Sequence, residues 1–220
     1  MNTRHPEYQY LDLIRQTLED GEEQIDNGTG IKTYSVFGRQ IRFDLSQGIP
    51  LLTTKKVFWK GVLQELYWFL SGQTNVSYLT RQGVHIWDDY PLRIYNERMK
   101  KEGKPEMGKE DFVKILETDD AFAEENGHLP HIYGEMWRSW PASDGRKIDQ
   151  LSWAIEELRK DPDAHNTLVS SWNPEFLYSM AQPGQGARFP ICHNMYQLNI
   201  KHGKVCLQLY QRTADIFLGV

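Results

Sequence analysis

The chain has 220 residues with 40% hydrophobic and 12% aromatic content, enough for one sizeable core. Its formal charge is -5 and it has no basic block, which excludes a protein that tracks a nucleic-acid backbone or holds a membrane surface through a cationic helix. Two cysteines, no charged leader running into an apolar stretch, and no run of about eighteen apolar residues imply a reducing cytoplasm and no membrane partner.

Along the chain, Tyr8 to Gly21 places Leu11, Ile14 and Leu18 at helical spacing and stops at a glycine, which predicts an amphipathic helix. Thr33 to Gly38 and Gln40 to Leu45 are extended runs broken at Gly38-Arg39 and predict two strands. A second helix is predicted from Trp59 to Ser71, where Val62, Leu63, Leu66, Phe69 and Leu70 recur. Glu65 sits one turn from Val62 and Phe69, so its carboxylate falls on the apolar side. Residues 90–128 are crowded with charge and predict a solvated surface insertion with one or two short helices.

Asp149 to Lys160 reads as a further helix, Thr167 to Trp172 as a strand, and Gln182 to Arg188, rich in glycine and proline, as a loop. A hairpin follows, with strands Met195 to Ile200 and Val205 to Tyr210 around the turn Lys201-His202-Gly203-Lys204. In its second strand Cys206, Gln208, Tyr210 and Arg212 share one face while Val205, Leu207 and Leu209 share the other. That alternation suits a polar cavity on one side and a core on the other. Helices at intervals too irregular for a repeated βαβ pattern make the expected class α+β: a mixed, bent sheet flanked by the Tyr8, Trp59 and Asp149 helices in a single domain over 1–220.

The chemistry concentrates in Phe189-Pro190-Ile191-Cys192-His193-Asn194 and in Gln208-Leu209-Tyr210-Gln211-Arg212-Thr213-Ala214-Asp215. A thiol with a reference pKa of about 8.5 is mostly protonated at neutral pH, and an adjacent guanidinium can shift that balance. Cys192 and Arg212 thus read as a nucleophile and its cation. A cysteine alone in an apolar strand is more often an inert core residue, so the weight lies on its company.

That company includes Pro50-Leu51-Leu52-Thr53-Thr54-Lys55-Lys56, Glu65-Leu66-Tyr67-Trp68-Phe69-Leu70, Ile132-Tyr133-Gly134-Glu135-Met136-Trp137-Arg138, Ser170-Ser171-Trp172-Asn173-Pro174 and the closing Ile216-Phe217-Leu218-Gly219-Val220. With the Cys192 and Arg212 blocks, in this order and in register from Tyr10 to the last residue, the chain resembles the thymidylate synthase family. The resemblance implies a three-layer fold that dimerises through its sheet, and methylation of dUMP at C5 with 5,10-methylenetetrahydrofolate as cosubstrate. It implies no metal and no nucleic-acid partner.

It also assigns residues. Cys192 corresponds to the nucleophile, Glu65 to the carboxylate that moves protons, and Arg212, Tyr133 and Asp215 to further catalytic positions. Arg212, Gln211, Thr213, Asp215 and His193 correspond to substrate contacts, and Trp87, Asp215 and Gly219 to folate contacts. The chemistry is coherent, since a thiolate added at C6 makes C5 of the ring nucleophilic. An indole can stack on a flat pterin.

The sequence departs from the family at the phosphate clamp. Of four expected arginines only Arg212 is present, with Gly28, His165 and Asn166 in the other places. Each such contact is worth roughly 1.5–3 kcal/mol, so phosphate affinity is expected to fall unless Arg188 or Lys32 substitutes. The family pattern also continues past Leu218-Gly219-Val220, so the chain reads as a truncated form lacking the residue that reads the base. Two alternatives therefore stay open: a pyrimidine nucleotide hydroxymethylase of the same fold, and a non-catalytic or altered-substrate relative.

Overall fold

The computed structural model describes residues 4–25, 30–176 and 191–218. They fall into two compact units, one comprising Met1–Phe58 with Ile216–Val220 and the other Trp59–Asp215.

In the first unit α1 (Tyr8–Asp20) buries Tyr10 and Thr17 and ends where predicted. A side chain at Gly21 would put its Cβ 2.1 Å from the Thr17 carbonyl oxygen, which only glycine avoids. Strands β1 (Glu22–Ile25) and β2 (Lys32–Ser35) pair antiparallel with Glu22 opposite Ser35. The predicted strand from Gln40 to Leu45 does not form. Its backbone is engaged elsewhere: the Arg42 N–H donates to Gln9 Oε1 at 2.9 Å, and Asp44 turns the chain into a 3₁₀ turn, Leu45–Gln47, by accepting the Ser46 N–H.

Glu7, just before α1, accepts from the N–H and hydroxyl of Thr53 at 2.7 and 2.6 Å and from those of Thr54 at 3.0 Å each. These bonds, led by the Thr53 hydroxyl, hold its carboxyl down to about 2.

The second unit begins with α2 (Trp59–Leu70) and α3 (Ser77–Arg81). Three helices follow where one or two short ones in a surface insertion were expected: α4 (Asp89–Lys101), α5 (Lys109–Thr118) and α6 (Asp120–Asn126). Phe112, Leu116 and Ala123 from this segment are buried in the same apolar cluster as Trp68, Phe69 and Val76, so the segment is part of the core as well as of the surface. Its charges conceal the pattern because they occupy the solvent faces of amphipathic helices.

Next come α7 (Tyr133–Arg138), the short antiparallel pair β3 (Trp140–Pro141) and β4 (Lys147–Ile148), and α8 (Gln150–Lys160). Asp149 caps α8 by accepting the Ser152 N–H. Strands β5 (Leu168–Ser170), β6 (His193–Lys201) and β7 (Lys204–Gln211) form a sheet in that order. Every strand pairing among the described residues is antiparallel, where a mixed sheet was expected. The β6–β7 pairing is antiparallel because its link is a two-residue turn, whereas parallel pairing needs a long crossover. His202 and Gly203 take φ of 53° and 71°, the left-handed pair that a tight hairpin requires.

Pairing within the hairpin sets Tyr196 opposite Leu209 and Leu198 opposite Leu207. Tyr196 and Leu198 reach the core, but Val205 (69% exposed), Leu207 (59%) and Leu209 (42%) do not, so the apolar face of β7 does not pack a core as the alternation suggested. β7 is the edge strand of its sheet, one strand further than β6 from α8. The predicted loop from Gln182 to Arg188 falls outside the described residues. The architecture is α+β, and no helix among those residues is long and apolar enough to cross a membrane.

Candidate active site

Five parts of the second unit supply the candidate site. Helix α2 carries Glu65, the segment between α3 and α4 carries Trp87, α7 opens on Tyr133, and the adjoining ends of β6 and β7 carry Cys192, His193 and Arg212.

The ladder sets His193 opposite Gln211, which leaves Cys192 and Arg212 side by side at its end. There the Arg212 N–H donates to the Cys192 carbonyl at 3.0 Å and to Asn194 Oδ1 at 3.2 Å, and its Nε donates to the Ile191 carbonyl at 2.8 Å. With those anchors set, Nη2 stands 3.8 Å from Cys192 Sγ. An irregularity between His193 and Met195 sets Asn194 out of the ladder, and its carbonyl instead accepts from the Ser171 and Trp172 N–H groups.

Tyr133 is 3% exposed, and its Oη accepts the backbone N–H of Cys192 at 2.8 Å and of His193 at 3.2 Å. Burial pushes its phenol up to about 12, and charge on both Cys192 and Glu65 adds in the same direction. The hydroxyl therefore keeps its proton, and with two backbone donors on the oxygen that proton is free to be given to a third group. Burial also lowers the His193 pKa, which keeps its imidazole neutral around pH 7.

Glu65 Oε1 accepts the indole N–H of Trp87 at 2.6 Å. Burial raises the pKa of this carboxyl and the indole bond partly opposes it. The Trp87 ring lies 6.2 Å from Phe69 and Phe69 lies 4.8 Å from Tyr133, an aromatic chain that continues to His193 at 5.2 Å from Tyr133. Beneath the Trp87 segment the fully buried Asp88 accepts from Thr80 Oγ1 at 2.9 Å and meets His85 Nδ1 at 2.7 Å. Sequence reasoning assigned no role to Asp88 or Asn194; adjacency to Trp87 and to His193 was the available signal.

A family model for thymidylate synthase matches residues 8–220. The chain belongs to the thymidylate synthase family. It is similar to the thymidylate synthase of Rhodopseudomonas palustris (strain BisA53), 44% identical over 218 residues that make up 98% of this chain and 69% of that protein. The thymidylate synthase of Cereibacter sphaeroides (strain ATCC 17029 / ATH 2.4.9) is 43% identical over 217 residues, again 98% and 69%. That of Rhizobium rhizogenes (strain K84 / ATCC BAA-868) is 41% identical over 226, 98% and 70%. The chain is thus a thymidylate synthase-like methyltransferase, and these names give no support to a hydroxymethylase or a non-catalytic relative.

The remaining residues assigned by resemblance to this family are less gathered. Gln211 Nε2 donates to the Thr213 carbonyl at 2.9 Å, while Thr213 and Asp215 are exposed. Gly219 lies outside the described residues, as do Gly28 and Arg188 of the phosphate question. His165 and Asn166 are exposed, and the His165 carbonyl accepts from Gln197 Nε2 at 2.7 Å. Lys32 is ion-paired with Glu23 at 2.8 Å. Among the described residues no three His, Cys, Asp or Glu side chains converge as metal ligands.

Proposed function

We propose that this chain converts dUMP to dTMP by reductive methylation at C5, with 5,10-methylenetetrahydrofolate supplying both the one-carbon unit and the hydride. The observation that carries the reading is the Arg212 guanidinium held 3.8 Å from Cys192 Sγ by backbone anchors on Ile191 and Cys192. Cys192 adds to C6 of the uracil and makes the ring an enolate, so that C5 can attack the methylene carbon. Arg212 stabilises the attacking sulfur and, with Gln211, Thr213 and Asp215, contacts the nucleotide. Glu65, with its raised pKa, serves proton transfers at O4 and C5.

Tyr133 and His193 line the nucleotide and its water network, while Trp87, Asp215 and Gly219 contact the folate. The indole bond from Trp87 to Glu65 supports a direct coupling of folate binding to the proton-moving carboxylate. A homodimer paired through its sheet, in the cytoplasm, completes the reading, and the uncovered Val205, Leu207 and Leu209 support an association at β7. Sedimentation as a well-folded monomer would count against that pairing.

Incubation with 5-fluoro-dUMP and methylenetetrahydrofolate should leave a covalent adduct on the Cys192 peptide, detected by mass. Cys192→Ser should lose the adduct and the turnover while keeping the fold. A serine variant of near-native activity would reduce Cys192 to a core cysteine.

A further inference from the structure

The stretch that delivers Tyr133 has an unusual start. His131 takes φ of 60°, a left-handed conformation that costs a non-glycine residue energy and persists only where neighbours enforce it. Two neighbours do so. The His131 backbone N–H donates to Glu135 Oε2 at 2.7 Å, closing a ring of chain around Ile132, Tyr133 and Gly134. The His131 imidazole stacks on Phe176 with ring centroids 3.5 Å apart and planes 10° from parallel. Its Nδ1 is buried and lies 3.3 Å from the same Glu135 oxygen, an ion-pair distance without hydrogen-bond alignment.

We propose that His131 and Glu135 form a clamp that positions Tyr133 against the Cys192 backbone and, through Phe176, ties it to the Pro174–Phe176 turn. The clamp has two separable parts. The Glu135 oxygen on the His131 N–H fixes the approach of α7, and hence where the Tyr133 ring enters the core. The stacked ring fixes α7 to the turn that follows Ser171, Trp172 and Asn173, and the first two of those residues donate to Asn194 beside the Arg212 backbone. His131 holds the Glu135 carboxyl below the usual carboxylate range, with a smaller contribution from Lys147 on β4. Both Glu135 and His131 are positioning residues, since neither contacts the sulfur or the phenol oxygen in the structure. The consequence for turnover rests on the functional reading above; the consequence for Cys192 does not.

The test compares Glu135→Gln, which keeps an acceptor oxygen, with Glu135→Ala, which removes it, and with His131→Asn, which tolerates the left-handed backbone but removes the stacked ring. The first readout is iodoacetamide labelling of Cys192 relative to the exposed Cys206 in the same molecule, followed by peptide mass. The second is kcat against KM for dUMP. Labelling of Cys192 should change by about tenfold in Glu135→Ala, by less in His131→Asn, and by under about twofold in Glu135→Gln, with kcat falling in the same order and KM little moved. If Glu135→Ala fails to fold, the order of the other two variants carries the test. Equal labelling and kcat in wild type, Glu135→Ala and His131→Asn, or a Glu135→Gln no better than Glu135→Ala, would overturn the clamp. A wild type without turnover would sink the functional reading and leave the labelling comparison to decide the clamp.

Discussion

Replacing Tyr133 by phenylalanine removes one oxygen and nothing else. The ring contacts to Phe69, Trp137 and His193, at 4.8, 5.8 and 5.2 Å, stay available to the phenyl group. What is lost is the acceptor for the Cys192 N–H at 2.8 Å and for the His193 N–H at 3.2 Å. A buried donor left without a partner costs about 1–3 kcal/mol. The 3.2 Å bond is the weaker and Cys192 is only half-buried, so the lower half of that range applies and the pair together is worth about 2 kcal/mol. For a chain of this size that lowers Tm by roughly 4–8 °C. Differential scanning calorimetry of the nucleotide-free protein measures it without reference to catalysis. On the proposed function activity should fall as well, because the Cys192 segment loses its anchor. A Tyr133→Phe protein that melts within about 1 °C of wild type would show that the hydroxyl neither satisfies nor holds the Cys192 backbone.

The other predictions concern charge. Glu65→Gln should cut kcat by about 10²–10⁴ while stabilising the fold at neutral pH. The folded pKa of Glu65 is raised, so the carboxylate opposes folding above its unfolded pKa, and the thermal gain of the glutamine variant should shrink as pH falls through the raised folded pKa and be gone below the unfolded value; a gain that grows toward acid would contradict the burial argument. Glu7 has the opposite sign: its carboxyl is held at about 2, so its contribution is full above the unfolded value and is lost as pH falls toward 2. A pH series of Tm should therefore show wild type and Glu7→Gln converging in acid, and a constant gap down to about pH 2 refutes the Thr53 and Thr54 anchor. Restoring arginine at Gly28, His165 and Asn166 should tighten dUMP binding by at least about tenfold in titration calorimetry, whereas tight wild-type binding that the arginines leave unimproved would mean that another group already holds the phosphate.

By itself the sequence determined the α+β class, the helices that begin at Tyr8 and Trp59, where apolar residues recur at helical spacing, the helix that begins at Gln150, and the β6–β7 hairpin, because spacing and turn chemistry are local. It also supplied the residue types proposed for the candidate site. It concealed β1, where Glu22-Glu23-Gln24-Ile25 carries no alternation and is entirely exposed, and it concealed the apolar faces of α5 and α6 beneath their charges. Most contacts within the candidate site were decided by tertiary structure. Trp87 reaches Glu65 across 22 residues of sequence, Cys192 reaches Tyr133 across 59, and Arg212 reaches Cys192 across 20. The third pairing follows from the register of the hairpin, but no local pattern encodes the first two, because each depends on where separately folded segments stop and on the space the core leaves between them. The same holds for electrostatics: whether Glu65 is an ordinary surface carboxylate or one with a raised pKa depends on how much of it the packed aromatic rings cover, and burial is a property of the assembled fold.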